Sequence, residues 1–126
     1  MLTIATLVVA LAAALHVAIF FMESISWTRP SVWKRFGVRT QEDAETTKAL
    51  AYNQGFYNLF LAFGAITGIV FFGLGWREAG LALVVFTMAS MVAASIVLVS
   101  TGRGYARAAF IQGTLPLIGL VLILLS

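Results

Sequence analysis

The sequence has no cysteine, one histidine and two prolines among its 126 residues, and only 10% of it is charged. Without cysteine there is no disulfide, no thiolate metal site and no cysteine nucleophile, and the redox compartment leaves no mark. His16 and five acidic residues are the few groups that could carry proton or metal chemistry. A soluble domain is charged at about a quarter of its positions, so the shortage here excludes an ordinary water-soluble globule. A 61% hydrophobic content excludes disorder still more firmly. The length suits a single domain over residues 1–126.

What the chain does have is long apolar runs. They cover Leu2 to about Trp27, Leu50 to Gly73, Gly80 to Val99, and Ala108 to Leu125. Each approaches the ~20 residues that cross a hydrocarbon core as a helix. None shows the alternation of barrel strands, and a backbone in lipid must satisfy its own hydrogen bonds, so the runs read as helices. Residues 1–25 lack the basic start of a cleaved signal peptide and read as a span. The expected fold is an all-α, four-helix transmembrane bundle with short connections and a small amphipathic segment between the first two spans.

Seven of the eight basic residues fall in two connections. Arg29, Lys34, Arg35, Arg39 and Lys48 lie between spans 1 and 2, Arg103 and Arg107 between spans 3 and 4, and Arg77 alone in the middle connection. The positive-inside rule puts the first and third connections in the cytoplasm and both termini outside. The basic balance reflects this asymmetry, and no nucleic-acid partner is expected. Trp27, Trp33 and Tyr105 on the inner side and Trp76 on the outer side read as interfacial anchors.

In the first connection, Pro30 suits the start of a short helix, with Val32, Trp33 and Phe36 on one face and Gly37 as its stop. Such a turn could lie on the anionic inner leaflet. Thr40 followed by Asp43 is a capping pattern that starts the second long helix near Gln41, two turns before its apolar part. That projection is either a solvated helix end or a docking site for a soluble partner.

Polar side chains inside spans are costly and therefore informative. His16 and Glu23 are seven residues apart, which brings both to one helix face beside Ala5, Ala12 and Ala13. Asn53, Gln54, Tyr57 and Asn58 fill an arc of span 2 continued by Gly64 and Gly68, while Phe56, Phe60 and Phe63 suit lipid. In span 4, Gln112 aligns with Ala108, Ala109, Pro116 and Gly119, and Pro116 removes a backbone donor and favours a kink. Span 3 offers only Thr87, Ser90 and Ser95. Counted from the cytoplasmic side, the strong polar groups of spans 1, 2 and 4 share the inner half and are expected to face the interior. An ionised carboxylate there needs a partner, and no Lys or Arg is deep enough to supply one. The amides and Tyr57 are the available hydrogen-bond partners of Glu23. One His, one Glu and neutral amides are too few for a zinc or iron site. Haem on His16 has no supporting motif, and no cofactor is expected.

The segments ALHVAIFFMESISW, AYNQGFYNLFLAFG and FIQGTLPLIGLVLILL resemble the family of small bacterial membrane proteins known as domain of unknown function 1304. The likeness covers nearly the whole chain, and the string from Asn53 to Asn58 is its most specific part. It implies a four-helix protein of a bacterial cytoplasmic membrane and implies no reaction. Three kinds of function stay open from the residues. His16, Glu23, Asn53, Gln54, Tyr57, Asn58 and Gln112 could bind or transport a proton or a small polar or cationic ligand. They could serve an intramembrane enzyme, such as an isomerase of a lipid-soluble substrate, or hold together a structural or regulatory subunit. The expected partners are the lipid bilayer, a small-molecule ligand and, because one chain offers little room for a pathway, a second copy.

Overall fold

The computed structural model describes residues 2–126. Helix α1 (Leu2–Phe20) runs without a break into a π-helical turn at Phe21–Ile25. A short α2 (Pro30–Trp33) passes into a 3-10 turn at Lys34–Phe36, and Gly37 ends it at φ 77°. Then come α3 (Gln41–Gly73), α4 (Arg77–Ser100), and α5 (Ala106–Leu124), the last entered through a 3-10 turn at Arg103–Tyr105. The four long segments are apolar and long enough to cross a membrane, and no strand occurs among the described residues. The expected all-α, four-span architecture is therefore the one observed.

The long helices form a ring in which α1 packs on α3, α3 on α4, α4 on α5, and α5 back on α1. Short connections force neighbours in sequence to run antiparallel, which is the up-down topology such bundles favour. The core is made of small and flexible side chains: Val9, Ala12 and Ala13 of α1, Ala62 and Ala65 of α3, and Val84, Met88 and Met91 of α4. Membrane helices gain no hydrophobic drive from leaving lipid, so close packing of small residues must hold them. The α3–α4 crossing illustrates this. A Cβ on Gly80 would lie 2.7 Å from the Gly68 carbonyl oxygen and 2.6 Å from the Phe72 nitrogen, so the two backbones touch. Outward-facing Leu7, Leu11, Phe60, Phe63, Phe86 and Phe110 are exposed, as lipid contact requires.

Two corrections concern the first connection. Trp27 and Trp33, expected as lipid-interface anchors, are only 8% and 6% exposed. The Trp27 indole N–H donates to the Ala44 carbonyl at 3.0 Å, and that of Trp33 donates to Gln41 Oε1 at 2.9 Å. Gln41 in turn donates to the Thr28 carbonyl at 2.8 Å. The connection is thus strapped to the projecting end of α3, and the indoles satisfy their polar edge within the protein. Trp76 and Tyr105 do stand exposed. The start of α3 is as expected: the Asp43 backbone N–H donates to Thr40 Oγ1 at 3.1 Å. Gly37 comes close to Gly104 and the Tyr105 ring. The first and third connections therefore meet at one end, which carries seven basic residues and is called the basic end below.

Candidate functional site

Glu23 sits inside the π turn of α1. The turn is marked by the Ser26 backbone N–H donating to the Phe21 carbonyl at 3.0 Å, five residues back. One inserted residue widens the helix locally and re-aims the side chains beyond it, a feature common at functional sites. The wide turn presses on α3 at Gly55. A Cβ there would collide with Ser24 Oγ and lie 3.0 Å from the Ser24 nitrogen and 3.1 Å from the Phe20 carbonyl oxygen. Only glycine permits that approach. Ser24 Oγ then donates to the Tyr52 carbonyl at 2.8 Å, one turn earlier on α3.

One turn later on α3, Asn58 Nδ2 donates to Glu23 Oε2 at 2.7 Å and to the Gln54 carbonyl at 3.1 Å. Glu23 and Asn58 are both half-buried. A carboxyl group is thus held by one oxygen at a helix–helix seam near the basic end. Phe20 and Phe56 close the seam from the side, with ring centroids 5.1 Å apart. Phe56, expected to face lipid, is half-buried in this contact.

His16 is wholly buried. Its Nδ1 lies 2.9 Å from the Ala12 carbonyl oxygen, and a carbonyl can only accept, so Nδ1 carries the proton in the neutral ring. Nε2 is then a bare acceptor, and it has no partner among the described residues. His16 therefore faces the interior as expected, without a hydrogen bond to Glu23.

The remaining amides do not gather there. Asn53, Gln54 and Tyr57, expected inside with Asn58, are exposed. The buried face of α3 runs through Ala51, Gly55, Ala62 and Ala65. That line passes through Asn58 at 3.6 residues per turn and leaves Asn53 and Tyr57 on the outer side. Gln112 of α5 is half-buried and lines a cleft on the opposite flank of α1, with Leu15, Ile19 and Met22. Glu23 and Gln112 thus share a level in the bundle and are divided by α1. The serine beside Glu23 and the glycine in the Asn-Gln-Gly string were the available signals for the seam. Nothing in the residues announces the π turn. Among the described residues no three His, Asp or Glu side chains lie close enough to hold a metal ion.

No curated protein and no solved structure matches the chain. Residues 10–124 match the family described as "Protein of unknown function (DUF1304)". That match takes in α1 from Ala10, the Glu23–Asn58 seam, and all of α3, α4 and α5. A chain of four membrane-length helices, matched over most of its length in this way, is a member of the DUF1304 family.

Proposed function

We propose that this protein binds a proton or a small polar or cationic ligand at Glu23, in the half of the bundle next to its basic end. The observation that carries the reading is the 2.7 Å hydrogen bond from Asn58 to Glu23 Oε2. It orients the carboxyl group through one oxygen and leaves the other to take a proton or face a cation. No basic side chain takes part in that contact, so the carboxyl group is not spent in an ion pair. An acid kept within a membrane span at such cost marks a functional site by default. Exposed Asn53, Gln54 and Tyr57 stand on the outer side of the same stretch of α3, where they could meet a ligand arriving from the surface.

Binding is favoured over conduction through a single chain. The bundle axis is filled by Met88, Met91, His16, Val9 and Pro116, all fully buried. A transport path would need a second copy, and a homodimer is proposed for that case. The charge bias supports a cytoplasmic membrane with the basic end inside.

Glu23 is the one acid within the apolar runs, the other four lying at helix ends, so its carboxyl band in infrared spectra of the membrane-embedded protein can be assigned by substitution. The wild-type protein should show a protonated-carboxyl band that titrates with pH and shifts on adding tetraphenylphosphonium as a cationic probe. Glu23→Gln should lose that band and the probe response with it. A band that neither titrates nor responds would end the reading.

A further inference from the structure

We propose that the cleft between α1 and α5 at the basic end is a site for one anionic phospholipid. It is independent of the Glu23 seam, because it opens on the other flank of α1. The cleft has a volume of about 270 Å³. Its walls are Leu15 and Ile19 of α1, Met22 of the π turn and Ile111 of α5, with Arg35 and Gln112 as its polar groups.

The order of these groups matches that of a phospholipid. Arg35 belongs to the turn after α2, outside the spans, where a headgroup phosphate lies. A guanidinium is suited to phosphate because its planar fork of donors meets two oxygens at once. Gln112 lies deeper, inside the last span, at a level where an amide N–H can donate to an acyl ester carbonyl. On the α1 side the wall continues deeper through Ala18 and Leu15, aliphatic residues that accept a hydrocarbon chain. The small side chain of Ala18 leaves the room that the chain takes. A zwitterionic lipid carries its own cation beside the phosphate, so Arg35 selects for net negative charge. A glutamine amide covered by an acyl chain is costly unless it is hydrogen-bonded, and a lipid ester supplies an acceptor.

The test is native mass spectrometry of the full chain in mild detergent, titrated with phosphatidylglycerol or phosphatidylcholine of the same acyl composition. The expected result is one phosphatidylglycerol per chain, bound at least about fivefold more tightly than phosphatidylcholine, from the worth of one cation at a membrane surface. Arg35→Gln should abolish that preference. Ala18→Leu, which fills the slot, should weaken both lipids. Arg35 and Ala18 are exposed, and unchanged thermal midpoints in detergent should confirm that the variants fold. Arg39 lines a separate cleft with Asp43 and Tyr105, so Arg39→Gln should leave the preference intact. Equal retention of the two lipids would overturn the proposal. So would an Arg39→Gln effect as large as that of Arg35→Gln, which would reduce the site to the general charge of the basic end. Competition by glycerol phosphate at the affinity of the intact lipid would overturn it as well, since the acyl slot would then contribute nothing.

Discussion

Asn58 and Glu23, 35 residues apart in the chain, are joined by a 2.7 Å hydrogen bond across the α1–α3 seam. The bond is long-range in sequence, lies in a low-dielectric setting, and pairs an amide with the one acid of the apolar runs. Its strength is measurable. In a double-mutant cycle with Glu23→Leu and Asn58→Leu, the coupling in thermal or denaturant unfolding should be about 0.6 kcal/mol and no more than about 1.7 kcal/mol. Additive single effects would mean that the two side chains do not interact.

The seam depends on Gly55. Gly55→Ala places a methyl group against Ser24 Oγ and the Phe20 carbonyl, and over-packing of this kind costs about 1–3 kcal/mol. Gly73→Ala meets nothing within 4 Å and should cost much less. Unfolding of both variants in one detergent measures the difference. A Gly55→Ala loss no larger than that of Gly73→Ala would show that α1 does not approach α3 closely at Gly55.

His16 permits a test of opposite sign. Its Nε2 is buried without a partner among the described residues, and an unsatisfied buried acceptor costs about 1–3 kcal/mol. His16→Leu should raise the unfolding midpoint of the purified protein. A lowered midpoint would mean that Nε2 is engaged in the native membrane protein, by water or by a ligand carried through purification.

Trp27 and Trp76 should separate in the same assay. Trp27→Phe removes the indole donor to the Ala44 carbonyl and Thr47 Oγ1, and the loss should be about 1 kcal/mol. Trp76 is 60% exposed at the far end, packed edge-on against Phe71. Trp76→Phe should have a smaller effect in detergent and a larger one on bilayer insertion, if its place is the membrane interface.

Orientation is tested by a reporter. A fusion at Ser126 should show an extracytoplasmic C-terminus, because seven of the eight basic residues lie on the opposite side of the bundle. A cytoplasmic signal would reverse the assignment, and a mixed one would indicate dual insertion.

Much of this protein is set locally and is legible in its residues. Four apolar runs become four helices because a backbone in lipid has no other partner for its hydrogen bonds. Thr40 and Asp43 start α3, and Gly37 stops the turn before it, through bonds that span at most a few residues. Glu23 could be singled out from its rarity and depth, and the amides and Tyr57 as the group from which its partner would come. Tertiary packing decided the rest. The choice of Asn58 over Asn53, Gln54 and Tyr57 depends on which face α3 turns inward, and that is fixed by where Gly55 and the alanines let α1 approach. The π turn arises where α1 meets that seam. Trp27 and Trp33 left the interface because the end of α3 projects beyond the span and offers a carbonyl and an amide oxygen to their indole N–H groups. Helical periodicity tells which residues share a face. Only the contact between helices tells which face is buried.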